Sequence, residues 1–315
     1  MTSESSATAP ARPVLPATSA GLGWGLLGVL AFSFTVPLTR VAVGGLQPLF
    51  IGSARAVVAA ALAALALGLT RQRLPTRTQW ARLAVVAGGI VIGFPLLTSF
   101  ALQTAAASHG AVVIALLPAA TAVTVVLRTG ERPPRVFWAM AVVGAVAAVG
   151  FASVQSDGAA RLHPSDLLLF GAVVAAALGY AEGGLLSREL GSWQTVSWAL
   201  VLAAPLMVTL AAASATHEPP TASATQWLSF TYLALVSMYL GFFAWYRGLA
   251  IGPMARVSQV QLVQPVLSIL WAALILGEEL TWATVLGGIV VVLCAGVAVR
   301  ARLGAPAPVP VSRGS

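Results

Sequence analysis

The sequence predicts an all-α integral membrane protein with ten transmembrane helices, built as two inverted five-helix repeats. Its 315 residues are 58% apolar and only 8% charged, and the mean hydropathy is +0.91, whereas a soluble chain carries roughly 25% charged residues. Part of the chain also occurs twice. Leu102, Pro118, Gly130 and Glu131 recur as Leu249, Pro265, Gly277 and Glu278, each pair 147 residues apart without a gap. Val113 with Val260 and Leu127 with Leu274 keep the same offset. Apolar matches carry little weight in such a chain, but two prolines and two Gly-Glu pairs in one register are hard to obtain by chance. Each half is therefore read as one copy of the same unit.

A helix needs about 20 mostly apolar residues to cross roughly 30 Å of hydrocarbon. Ten windows satisfy this, at residues 21–39, 48–69, 81–101, 109–127, 136–154, 166–186, 193–213, 226–246, 256–276 and 281–299. The first five make a repeat over residues 21–154 and the last five a repeat over 166–299. Connections are mostly short; the longest, near 154–165 and 214–225, are rich in Pro, Ser, Thr and charge. Residues 1–20 and 300–315, rich in Ala, Pro, Ser and Thr without periodicity, are expected to be tails with no fold of their own. No signal peptide is expected, because the first apolar run, from Gly21, is long enough to span.

Five spans per half is an odd number, so the two halves must enter the membrane in opposite senses. The basic residues test this independently, since short cytoplasmic loops collect them. All 17 are arginine, and an inside N-terminus puts 14 of them on the cytoplasmic side, with Arg40 and Arg161 outside and Arg55 within a span. Both termini are then expected in the cytoplasm, and Glu131 and Glu278 on opposite sides of the membrane. The net charge of +8 follows topology and does not point to nucleic acid. Arg-only, Ala-rich usage fits a GC-rich bacterial genome and an inner-membrane location.

The Leu-x15-Pro-x11-Gly-Glu pattern, followed by a Gly-rich apolar helix, resembles the EamA-type repeat of the drug/metabolite transporter superfamily, and both copies show it over about residues 21–299. The resemblance implies a secondary transporter with a central cavity and alternating access. It names no substrate, because the superfamily handles amino acids, amines, drugs, nucleotide sugars and other metabolites. It also implies that Glu131 and Glu278 are structural markers of the repeat rather than ligands. Internal duplication is itself a common plan among membrane transporters.

Several side chains within the spans are candidates for that cavity. Pro118 and Pro265 each remove a backbone hydrogen bond from an apolar span and are expected to kink it. Glu182 falls about 16 residues into the sixth span, in Leu178-Gly-Tyr-Ala-Glu-Gly-Gly-Leu-Leu186. A carboxylate there should face protein or a wet cavity, and suits a residue that takes up and releases a proton or balances a cationic substrate. The plainer alternative is a carboxylate reaching the cytoplasmic interface beside Arg188. Tyr180, two residues away, is off its face. Gly171, Ala175, Gly179 and Gly183 on the same helix, at four-residue spacing, read as a close helix contact.

In the ninth span Ser258, Gln261, Gln264 and Ser268 follow helical spacing and line one side. Their counterparts in the first repeat are Ala111, Ile114, Leu117 and Thr121, so the architecture does not require glutamine there and a cavity lining is expected. The eighth span carries an aromatic stripe, Tyr232, Val236, Tyr239, Phe243 and Tyr246. Tyr232 and Tyr246, near its ends, are expected at the membrane interfaces, and Tyr239, near the middle, is the candidate ligand. Arg55, about seven residues inside the second span, reads as an intramembrane charge that is structural or attracts an anion. Gln103 and His109 sit near the outer ends of the third and fourth spans, and the basic His109 is expected to meet headgroups.

No ATP-binding loop, His-Glu-x-x-His motif or Cys/His cluster is present, and the single Cys294 can form neither an intrachain disulfide nor a metal cluster. The chain therefore reads as a transporter rather than an enzyme, without cofactor, powered by a proton gradient or by exchange and not by ATP. Its partners are the bilayer, a small-molecule substrate and protons. A homodimer is compatible with this plan but is not written in the sequence.

Overall fold

The computed structural model describes residues 17–130, 132–154, 163–252, 257 and 260–303. These residues are almost wholly helical, with no strand among them. The spans are α1 (Ser19–Ala42), α2 (Pro48–Leu69), α3 (Arg77–Ala101), α4 (Ala107–Thr129), α5 (Arg135–Ser153), α6 (Pro164–Leu190), α7 (Ser192–His217), α8 (Ala224–Ile251), the shorter α9 (Val263–Leu276) and α10 (Trp282–Ala301). Helix begins at Ala17 and ends at Leu303, so the bundle reaches a few residues into both segments expected as tails. Glu131, Ser258 and the rest of the tails lie outside the described residues.

The packing has the symmetry of the duplication. If the repeats match α1 with α6, α2 with α7, α3 with α8, α4 with α9 and α5 with α10, a two-fold axis must leave α2·α7, α4·α9 and α5·α10 as pairs and exchange α1·α8 with α3·α6. These five pairings are all prominent in the packing. Each runs antiparallel. Gln47, before α2, is bonded to Glu218 and Ser214 at the end of α7. Gln194 at the start of α7 bonds Gln72 just past the end of α2, at 3.3 Å. Antiparallel mates across a two-fold define an inverted repeat.

Small residues let these pairs approach. Ala56, Ala59, Ala60 and Ala63 of α2 and Ala199 and Ala203 of α7 are buried, and hydrocarbon supplies no hydrophobic drive to bring helices together, so close van der Waals packing must do so. On α6, a Cβ at Gly179 would lie 3.0 Å from the Ile90 backbone nitrogen and 3.4 Å from the Gly89 Cα. Gly171, Ala175 and Gly179 of the stripe thus form the α3·α6 contact, while Gly183 faces Tyr246 of α8. Outside, Leu65, Val146, Leu206 and Leu293 are exposed, as contact with lipid requires.

The repeated Gly-Glu pair has a geometric explanation. Gly130 ends α4 and Gly277 ends α9, both in the left-handed region with φ of 71° and 66°, where a residue without Cβ is favoured. The turn at Gly277 sends the chain so that the Glu278 carboxylate accepts hydrogen bonds from the backbone N–H groups of Ala107 and Ser108, at 2.8 Å each. These are orphan donors of the first turn of α4, so one repeat caps a helix of the other. Replacing Glu278 with Ala should lower stability by roughly 1–2 kcal/mol, the cost of losing an N-terminal cap. A thermal melt of the purified protein in detergent checks this; an unchanged midpoint would show that the cap contributes nothing.

Candidate functional site

Both repeats depart from regular helix at matched places. A π-helical segment interrupts α3 at Ala87–Gly93 and α8 at Leu233–Leu240. Turns interrupt the chain ahead of the conserved-offset prolines, at Ala115 and Leu116 before Pro118 and at Gln261 and Leu262 before Pro265. Loosened helical hydrogen bonding inside a span is tolerated where protein or a cavity takes over the freed groups, and π-segments recur at functional sites.

These irregular stretches surround a narrow cavity between the repeats. Phe32 and Thr35 of α1, Arg55 of α2 and Ile90, Phe94 and Pro95 of α3 form one side. Ala176 and Tyr180 of α6, Ser237, Met238 and Phe242 of α8 and Gln264 of α9 form the other. The wall is aromatic, with Phe32 and Phe242 rings 4.8 Å apart and Tyr180 and Phe242 rings 5.8 Å apart. Its polar points are few. Thr35 and Ser237 share a hydrogen bond of 2.8 Å across α1 and α8, whereas Arg55 Nε and Nη2 and Gln264 Oε1 are buried without hydrogen-bond partners.

A second pocket adjoins through Gln264, lined also by Ile114, Leu117, Pro118, Gln261, Pro265 and Ser268. Gln261, Gln264 and Ser268 are therefore buried on one face toward interior space, and Gln261 Nε2 too lacks a partner. Ser268 is committed, donating to the Ser33 carbonyl at 2.7 Å. Pro118 and Pro265 meet at this pocket from opposite repeats.

Glu182 lies elsewhere. It is 6% exposed and is held by two arginines, Arg82 Nε on Oε1 and Arg128 Nε on Oε2, the latter at 3.0 Å. Arg82 also pairs with Glu189. The cluster ties the start of α3, the end of α4 and the end of α6 together, and Glu182 is absent from both pocket walls. Arg188 is not its partner. The pairing was hidden because Arg82 and Arg128 read as topology signals near loops, and nothing in the sequence says that α3 and α4 end beside α6.

Other placements differ from expectation. Tyr246 is fully buried, with its hydroxyl 3.4 Å from the Gly179 carbonyl, and is no interfacial anchor. Tyr232 is tied inward, donating to the Ala31 carbonyl at 3.0 Å. Tyr239 packs on Phe243 and shares a 3.0 Å hydrogen bond with Ser197, while its neighbours Ser237 and Met238 face the cavity. The reason is the π-segment of α8, which adds a residue to the turn and rotates everything after it, so the stripe does not stay on one face. Tyr180, on a different face of the regular helix α6 from Glu182, lines the cavity, and Glu182 does not. His109 does not meet headgroups; it is 8% exposed, stacks on Phe151 and lies 2.7 Å from Asp166. Gln103 is exposed at the end of α3.

Two inverted five-helix units around a central cavity make a fold with a known sequence signature. The EamA-like transporter family matches residues 19–153 and, separately, 163–300. The chain belongs to the EamA-like transporter family. A relative from Bacillus subtilis (strain 168), "Uncharacterized transporter YdeK", is 46% identical over 280 residues, covering 88% of this chain and 97% of the relative. A solved crystal structure is similar at a TM-score of 0.60 and 21% identity, over 89% of this chain and 96% of its own; at that identity it supports the fold alone. In this EamA-like transporter Glu182→Gln leaves Arg82 and Arg128 facing a neutral amide. Stability should fall by roughly 1–3 kcal/mol, less than for a sealed pair because the Arg128 side chain is 54% exposed. A melt of the variant beside wild type reads this; no change would mean that the cluster is solvated and contributes little.

Proposed function

We propose that this chain is a secondary active transporter, working as an exporter of small metabolites, amino acids or amines by alternating access in a bacterial inner membrane, with both termini cytoplasmic and coupling to protons. The observation that carries the reading is the cavity between inverted repeats, walled on both sides by helices interrupted at matched positions. A two-fold related pair of flexible walls gives two arrangements of similar energy, one open to each side, which alternating access requires. The concentration of arginines at one end supports a cytoplasmic orientation of that end.

Glu182 fits this scheme as the coupling residue through its arginines. Ionised, it holds α6 to α3 and α4 at the cytoplasmic end. Protonated, it keeps at most a weak neutral hydrogen bond, and the three helices can separate while Glu189 retains Arg82. Proton uptake would then favour the arrangement open to the cytoplasm. Gln261, Gln264 and Ser268 would line the path, the matched prolines would act as bends about which α4 and α9 move, and Tyr239 would hold α8 to α7 during the motion.

Uptake into proteoliposomes of a panel of amino acids, polyamines, lipophilic cations and organic acids, under an imposed pH gradient, tests the proposal. Wild type should accumulate a solute in response to the gradient, and Glu182→Gln should move it with no gradient dependence. Equal, gradient-independent flux through both proteins would identify an uncoupled facilitator and remove Glu182 from the mechanism. No flux of any solute would remove the transport reading for the classes tested.

A further inference from the structure

Arg55 is a buried cation without a counter-ion. It is 1% exposed, and its Nε and Nη2 nitrogens have no hydrogen-bond partner. No ion pair among the described residues includes it. The two unused N–H groups lie on one edge of the guanidinium, the edge that grips both oxygens of a carboxylate side-on.

Among the described residues no carboxylate is free to serve Arg55. Asp166 faces His109, Glu182 and Glu189 face Arg82, Glu218 accepts from Gln47, Glu278 caps α4 and Glu279 is on the surface. A lone buried charge is strongly unfavourable. Symmetry does not demand it either, since α7, the counterpart of α2, contains no arginine. An arginine kept there without a partner is explained by something that enters the cavity.

The remaining lining narrows what enters. Phe32, Tyr180 and Phe242 present apolar ring surface, Gln264 presents an unpartnered amide oxygen, and among the described residues no acidic side chain lines the wall. A cationic amine would meet Arg55 with nothing to balance it, and an uncharged apolar molecule would leave the guanidinium unpaired. We propose that the substrate of this transporter is a small organic carboxylate with an apolar or aromatic body, its carboxylate held side-on by Arg55 and a second polar group met by Gln264. The proposal rests on the transport reading above and selects among its substrate classes: amino acids qualify through their carboxylate, simple amines do not.

Binding without any gradient tests it on the full-length protein in lipid nanodiscs, read by tryptophan fluorescence and by melting temperature. The probes are phenylacetate, its amide phenylacetamide, phenethylamine and sodium chloride. Wild type should bind phenylacetate about tenfold to a hundredfold more tightly than the amide, the factor expected of a charge-assisted pair, and should not bind the amine. Arg55→Gln should erase the preference of acid over amide, while Arg55→Lys, which keeps charge but not the fork, should retain part of it. The unliganded melting temperature of Arg55→Gln should be unchanged or higher, because an unpaired buried charge has been removed; a structural arginine would lower it. Equal binding of acid and amide by wild type overturns the proposal without any variant. So does tighter binding of the amine, an Arg55→Gln protein that still prefers the acid, or chloride alone shifting the melt as far as phenylacetate does. Carboxylate binding through Arg55 with no flux of any solute would overturn the transport reading and leave this site standing. Gradient-driven flux of other solutes without carboxylate binding would do the reverse.

Discussion

Hydrocarbon offers a polar group no partner, so each polar side chain within this bundle must find one in the protein or in what the protein binds. Most are satisfied locally: serine and threonine hydroxyls bond the carbonyl a turn back, as Thr39 does to Thr35 and Thr98 to Phe94. Glu182 and Glu278 are satisfied across repeats or between helices, by two arginines and by two backbone N–H groups. Most of the exceptions among the described residues lie along the interior between the repeats. Arg55, Gln261 and Gln264 all hold buried atoms without partners, and all three line the interior space between the repeats. Thr121 and Trp245, also unpartnered, line an adjoining pocket with Gln261, and Gln194 Oε1 lies apart at the start of α7, so the interior between the repeats is where a polar solute has most to meet.

The inverted duplication supplies the frame, and departures from it supply the chemistry. Matched features, the left-handed glycines Gly130 and Gly277, the breaks before Pro118 and Pro265 and the π-segments of α3 and α8, belong to both repeats and therefore to the fold and its motion. Unmatched ones do not: Gln261 and Gln264 stand where the first repeat has Ile114 and Leu117, and Arg55 stands on a helix whose counterpart has no arginine. Symmetry cannot explain a group present once, whereas an asymmetric solute can.

Close backbone contact and irregular backbone work together. The Gly179 contact with Gly89 and Ile90 brings α6 against the π-segment of α3, so the least regular part of one helix lies on the smallest face of another. The ion cluster of Arg82, Arg128, Glu182 and Glu189 closes the same helices at one end. An ion-paired contact at that end is thereby joined to the irregular part of the wall.

Spans, duplication and inversion were legible in the sequence, because hydrocarbon thickness and arginine bias act on composition, and an odd number of spans per repeat leaves no other topology. The glutamine face of the ninth span was also legible, since Gln261, Gln264 and Ser268 lie within one short stretch of chain. Partners of Glu182, the buried place of His109 and the membership of Tyr180 in the cavity were not. Each depends on which helix end comes beside which, and no local pattern carries that. The π-segment of α8 shifts helical phase mid-span, so Tyr239 and Tyr246 face away from where regular periodicity puts them. Residue identity along the chain thus determined that a polar face and an intramembrane arginine exist. Only the tertiary pairing of antiparallel helices decided that they line adjoining pockets joined at Gln264, because contacts distant in the chain arise from packing that adjacent residues do not encode.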